Sequence, residues 1–341
     1  MTSASWAMML VVTVNAIFFH AMPRLSRPDI LFAVTVPDAF VAGAGRTLVS
    51  RYRAIVWSGA VAALAISLLL PAALPGSDRG ALLMMGVVAG NMMVALAAWL
   101  LAHWKARAHA VPRSDVRVAS LVPRDTSLPG GALFAAGPFA ILLATALLVY
   151  SYRNPDGPGT IKPFSTLAVG IVYVAMMLTM AVSLARGTRQ IAVDGLAAAA
   201  EQRFRRMNVL VLVLTGYAIA ILLSSATLES TRAFGDTLSG TVGYVLLPVV
   251  LFNFGVAFWM FRVGQGGQRA VAPAARQEVR GDATPDHAWK VGGLFYFNRD
   301  DPAIWVEKRV GLGYTLNIGN SRAWLLVGMM LVPVIAAHLL F

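Results

Sequence analysis

Apolar residues in this chain fall in long unbroken runs rather than in short alternating ones. Eight runs, at about 4–22, 54–74, 81–103, 132–150, 164–185, 207–226, 240–261 and 323–341, carry no Asp, Glu, Lys or Arg in their central parts. A helix needs about 20 mostly apolar residues to cross a hydrocarbon core. A charge at its centre would cost about 2.5–3.5 kcal/mol on insertion scales. The pattern therefore predicts an all-α polytopic membrane protein with eight transmembrane helices: seven within a membrane domain over 1–262, and the eighth over 323–341. The first run is expected to be a retained helix rather than a secretory signal. No basic residue precedes Trp6, and Phe18-Phe19-His20-Ala21-Met22 is a poor cleavage site.

The polar stretches between the runs are unequal. Their Lys+Arg counts alternate 5, 1, 5, 2, 5, 1 and 9 along the chain. By the positive-inside rule the basic-rich loops are cytoplasmic and both termini extracytoplasmic, which suits a bacterial inner membrane. In the first such loop, Asp29 to Asp38 is an extended, β-branched stretch stopped by Pro37. Asp38 is expected to cap a helix that carries Arg46 to Arg53 into the second span. In the third, Gly195 to Arg206 is rich in helix formers and continues into the sixth span, with Glu201 placed to pair with Arg205 at i,i+4. Residues 263–288, rich in Gly, Gln, Ala, Arg and Pro, read as a flexible linker. Residues 289–320 hold three short strand-like runs separated by Asn/Asp/Pro and Gly turns, which predicts a small cytoplasmic β-meander. A module of that size needs other parts of the protein to pack on.

Composition agrees with a lipid solvent. Of 341 residues 58% are hydrophobic and 13% charged, against about 45–50% and about 25% in soluble domains. The formal charge of +12 would suggest nucleic acid in a soluble protein. Here the excess follows the loop alternation, so no nucleic-acid partner is expected. The expected partners are the lipid bilayer, anionic lipid at the cytoplasmic face, and a cytoplasmic protein. The chain has no cysteine, which excludes disulfides, thiolate nucleophiles and cysteine metal sites.

The C-terminal pattern Trp289-x-x-Gly292-x-x-Phe295-Tyr296-x-Asn298, then Asp301-Pro302, Val306-x-Lys308-Arg309 and Gly313-x-Thr315-x-Asn317 resembles a domain of unknown function at the end of bacterial multi-pass membrane proteins. Phe32-Ala33-Val34-Thr35-Val36-Pro37 and Ser50-Arg51-Tyr52-Arg53 are similar to the loop after the first helix in the same proteins. That group is distantly related to SdpI-like membrane proteins, so the resemblance implies an immunity or signalling role. No internal repeat is present.

No nucleotide-binding loop, H-E-x-x-H or G-x-S-x-G motif occurs. No catalytic residue is identified, and no cofactor or metal is expected. All 16 acidic residues lie outside the span centres, which argues against an ion-coupled transporter. Of the polar residues inside the spans, Asn15, Asn91 and Asn253 read as interhelical hydrogen bonders. With Tyr217 they are the residues that would line a substrate cavity. His20 and His338 belong near opposite faces and cannot share a metal. Pro138, Pro248 and Pro333 predict kinks, and Gly86-x-x-x-Gly90 permits close helix approach. Asn298 with Asp300-Asp301-Pro302 is turn chemistry, the alternative being a hard-cation site. The leading functional reading is a non-enzymatic sensor, immunity or envelope-stress component. Its cytoplasmic face would dock a partner through Arg51, Tyr52, Arg53, Trp289, Tyr296, Asn298, Asp301, Lys308, Arg309 and Asn317. The second reading is a permease for a neutral or lipidic substrate. The third is an enzyme on lipid-linked substrates, with Arg51, Arg53, Lys308 and Arg309 clamping a phosphate.

Overall fold

The computed structural model describes residues 3–73, 78–111, 125–151, 162–187, 195–231, 240–270, 282 and 284–340. Among these, six helices are long and apolar enough to cross a membrane: Ala44–Leu69, Leu82–Arg107, Gly131–Ser151, Phe164–Ala185, Ala198–Thr231 and Tyr244–Val263. The first and last predicted spans are also helical. The chain divides into two compact units.

Unit 1 comprises Met1–Arg117, Gln277–Phe297 and Glu307–Thr315. Its helices are α1 (Ser3–Ala21), the short α2 (Asp38–Ala42), α3 (Ala44–Ala73) and α4 (Asp78–Arg107). The seam between α1, α3 and α4 is built from small residues, among them Ala16, Ala60, Ala63, Ala95, Ala98 and Ala102, which let backbones approach closely. Gly59 contributes to that approach, because a Cβ there would lie 2.9 Å from Val94 Cγ1. The expected close approach at Gly86 and Gly90 does not occur: a Cβ at either meets nothing within 4 Å. The small side chains that matter lie on another face of the bundle.

The stretch from Asp29 is not one extended strand. It folds back as a hairpin of β1 (Ile30–Leu31) and β2 (Val34–Thr35), with Ile30 opposite Thr35 and Leu31 opposite Val34. Phe32 and Ala33 at the tip both have positive φ, 50° and 64°, as a type I′ turn requires. Such backbone costs about 1–3 kcal/mol per residue and persists only when the surroundings hold it. Here Phe32 is fully buried, its ring edge-on to Trp99 and Tyr52 at 5.1 and 5.2 Å. Asp38 is not the cap of the following helix. Pro37 takes that position, and α2 ends at Gly43 before α3 begins.

Unit 2 comprises Val118–Arg276, Asn298–Val306 and Leu316–Phe341. It contains α5 (Gly131–Ser151), α6 (Lys162–Ala185), α7 (Gly195–Thr231), α8 (Thr241–Val263) and α9 (Ser321–Leu340). The basic helix over 195–206 runs unbroken into the next span as α7, and Glu201 sits 3.6 Å from Arg205. Leu142, Leu167, Val174 and Ala220 form the core of α5, α6 and α7. Pro138 lies inside α5 and cannot donate to the carbonyl of Phe134. The Tyr217 hydroxyl on α7 donates to that oxygen at 2.7 Å. Gly137 leaves the space, since a Cβ there would come 1.9 Å from the Tyr217 hydroxyl. Pro333 and His338 lie on α9, but their side chains fall outside the described residues.

The region over 263–288, expected to be a linker, is packed at both described ends. Gln265–Ala270 forms 3-10 turns with Gln265, Gly266 and Gly267 buried, and Asp282 and Thr284 are buried as well. Residues 271–281 and 283 lie outside the described set. The C-terminal strands form two separate hairpin ladders rather than one meander. β3 (Trp289–Lys290) pairs with β4 (Phe295–Tyr296), and β5 (Trp305–Glu307) with β6 (Tyr314–Leu316).

Candidate functional site

The motif residues gather in two polar clasps, one in each unit. In unit 1 the centre is Arg309, whose side chain is 0% exposed. Its Nε donates to Asp282 Oδ2 at 2.7 Å and its Nη2 to Asp282 Oδ1 at 3.1 Å, a two-pronged pair. Nη1 donates to Asp286 and, at 3.1 Å, to the Ala33 carbonyl at the hairpin tip. Nη2 also reaches Thr284 O at 2.6 Å and Oγ1 at 3.0 Å. The guanidinium lies over the Trp289 ring at 5.4 Å. Burial alone would lower the pKa of Arg309, but Asp282 and Asp286 carry it above the ordinary value. The cation is therefore locked in its charged form and fully enclosed.

A second buried pair stands beside it. Arg27 donates to Glu307 Oε2 from Nη2 at 2.8 Å and from Nε at 3.1 Å, and Ser26 Oγ donates to the Arg309 carbonyl at 2.5 Å. The loop after α1 is thus stitched to the segment after Glu307. The β3–β4 turn is seated on α4: Trp99 Nε1 donates to Gly292 O at 2.9 Å. A Cβ at Gly293 (φ 86°) would fall 2.0 Å from Ala33 Cβ, so only glycine fits there.

The clasp in unit 2 is Asn317, also fully buried. Its Nδ2 is shared among the carbonyls of Asn298, Asp301 and Ala303, at 2.8, 3.0 and 3.2 Å. Its Oδ1 accepts from the amides of Asn298 and Gly319, both at 3.0 Å. Around it, Asn298 Oδ1 accepts from Asp300 N and Asp301 Oδ1 from Ala303 N, each at 3.0 Å. These are Asx turns, so the Asn298–Pro302 run closes as a turn. Asn320 Oδ1 accepts from Arg322 N at 2.9 Å and starts α9. Trp305 Nε1 donates to Ser183 Oγ on α6 at 2.9 Å.

Most residues expected to face a partner therefore face inward. Tyr52, Trp289, Tyr296, Asp301, Arg309 and Asn317 are buried, Arg53 and Asn298 half-buried, and Arg51 and Lys308 exposed. Arg309, enclosed by carboxylates, does not join Arg51, Arg53 and Lys308 as a phosphate clamp. The outward side of the β3–β4 hairpin is different, with Lys290, Val291, Phe295 and Phe297 all exposed.

The intramembrane polar residues do not converge. Tyr217 serves Phe134, and Asn253 Nδ2 donates to Val249 O of its own helix at 2.8 Å. Asn91 is buried near Gly59, and Asn15 is half-buried on α1. Among the described residues, no group of three or more His, Asp or Glu could hold a metal ion. Sequence reasoning missed Asp282, Thr284 and Asp286, hidden in the expected linker, and the partners Arg27 and Glu307. The signal available was the spacing Asp282-x-Thr284-x-Asp286 just ahead of Trp289.

Residues 299–324 match the Family of unknown function (DUF5808). The matched stretch covers the turn around Asp301, both strands of the second C-terminal hairpin, the Asn317 clasp and the first turn of α9. No curated protein and no solved structure matches the chain. The protein is a multi-pass integral membrane protein of uncharacterised function that carries, near its end, a stretch matching a family of unknown function.

Proposed function

We propose that the protein is a non-enzymatic sensor, immunity or envelope-stress component of the bacterial inner membrane. It spans the membrane eight times, with α1 and α9 completing the set and both termini outside. Its cytoplasmic face docks a protein partner. The observation that carries this reading is the outward side of the β3–β4 hairpin. Val291, Phe295 and Phe297 are exposed there beside Lys290, while Trp289 and Tyr296 anchor the same strands from below. Exposed apolar side chains grouped on one hairpin support an interaction surface. The resemblance to SdpI-like membrane proteins points the same way. The docking side chains in this reading are Lys290, Val291, Phe295 and Phe297, with Arg51 and Lys308 as accessible cations, and the buried motif residues hold the platform.

The test is cross-linking and affinity capture from intact cells, with the wild-type chain compared with a Phe295→Ser/Phe297→Ser variant that still inserts in the membrane. A specific protein should be captured by the wild type and lost from the variant. An identical set of captured proteins would refute the docking surface. The cysteine-free background also suits topology mapping: a single cysteine at Ser127 should resist an impermeant maleimide that labels one at Gly240.

A further inference from the structure

A second arginine grouping in unit 1 serves no part of the clasp. A cavity of about 480 Å³ opens where α1 ends and α3 begins, lined by Arg24, Arg46, Arg53, Ser50 and apolar side chains including Leu31 and Val49. Arg46, Ser50 and Arg53 are spaced i, i+4 and i+7 on α3 and so share one face, and Arg24 comes from the 3-10 turn after α1. No acidic side chain is among the lining residues. Arg53 donates from Nε to His20 O at 3.2 Å, but its Nη2 is buried with no hydrogen-bond partner among the described residues. Arg46 is exposed and likewise makes no ion pair among them. A buried charged donor without an acceptor is costly, and it marks a place where an acceptor belongs.

The chemistry that completes this site is a phosphate oxyanion, which takes forked guanidinium hydrogen bonds. Its source follows from the rest of α3. Immediately beyond Arg53, Ile55, Trp57 and Val61 are exposed on the same membrane-spanning helix. Trp57 Nε1 reaches His20 Nδ1 at 3.1 Å, and tryptophan concentrates at headgroup depth. We propose that this cavity binds the phosphate of an anionic phospholipid, with its acyl chains running down the apolar surface of α3. Arg46 and Arg53 grip the phosphate, Ser50 donates to it, and Leu31 and Val49 cover the glycerol. The inference rests on the membrane placement of α3 and is independent of the β3–β4 docking surface.

The test uses the purified full-length chain in detergent. Native mass spectrometry counts bound dioleoyl-phosphatidylglycerol, with dioleoyl-phosphatidylcholine and inorganic phosphate as separate arms. The wild type should hold one phosphatidylglycerol in preference to phosphatidylcholine. Arg46→Gln should weaken it about fivefold, as expected for one cation at the membrane surface, and Arg46→Gln/Arg53→Gln by an order of magnitude or more. Ser50→Phe keeps every charge and fills the cavity, and it should lose the lipid as well. Arg186→Gln, exposed and outside the cavity, should change binding less than twofold. Equal weakening by Arg186→Gln, or equal retention of phosphatidylcholine, would overturn the site. Displacement of the lipid by millimolar inorganic phosphate would overturn its assignment to lipid.

Discussion

Two groups of arginines in unit 1 follow opposite electrostatic plans. Around Arg309 and Arg27 the guanidinium groups are buried against Asp282, Asp286 and Glu307. Arg46 and Arg53, by contrast, line a cavity with no carboxylate among its lining residues. The first arrangement sets each cation against a carboxylate of the same unit, so it fixes structure. The second leaves Arg53 Nη2 without an acceptor among the described residues, and in the proposed reading a bound phosphate supplies it. One residue type thus acts as a rivet in one place and a receptor in the other, and the difference is made by where the acids fall.

The largest effects should come from breaking the rivets. Arg309→Met would leave Asp282 buried without its cation, with the half-exposed Asp286 beside it, and should cost about 3–5 kcal/mol, read from chemical unfolding in detergent. Arg27→Met or Glu307→Met alone should cost a similar amount. The double variant Arg27→Met/Glu307→Met should be close to neutral, because neither charge is then stranded. If the double variant is as unstable as either single one, the pair is not what joins the loop to the C-terminal segment.

Next in size is the amide clasp. Asn317→Ala would leave several buried backbone groups without partners, at about 1–3 kcal/mol for each. The expected readout is early loss of protease protection over 298–320, with the α5–α7 bundle intact. A smaller effect, about 1–2 kcal/mol, is expected for Tyr217→Phe, which strips the Phe134 carbonyl of its donor. Adding Pro138→Ala restores a backbone N–H to that carbonyl and should recover most of the loss. Failure to recover would show that Tyr217 acts through something other than the proline gap. Arg51→Gln, exposed and outside both arginine groups, should change stability by no more than about 0.5 kcal/mol in the same unfolding assay.

The helices were legible from the chain because a span is a local property: some 20 residues without charge, read in order. The basic helix over 195–206, its continuation into α7 and the Glu201–Arg205 pair were legible for the same reason. The turn at Asn298–Pro302 was legible because Asx chemistry acts two residues along the chain. The side-chain roles were not. Trp289, Tyr296, Arg309 and Asn317 stand out in sequence as aromatic and polar residues outside the spans, the usual profile of an exposed surface. The Arg309 and β3–β4 contacts reach Ala33 and Trp99, residues more than a hundred positions away, while Asn317 is enclosed by the turns of its own segment.

Hydropathy and charge alternation alone determined that this is a membrane protein, where its helices lie and which loops are basic, because lipid acts on each segment separately. Only the tertiary structure decided that Phe32 and Ala33 adopt a strained turn, that Asp282, Asp286 and the Ala33 carbonyl enclose Arg309, and that Arg46 and Arg53 line one cavity. Each depends on contacts made beyond the local segment, and a local window of sequence holds only one side of that balance.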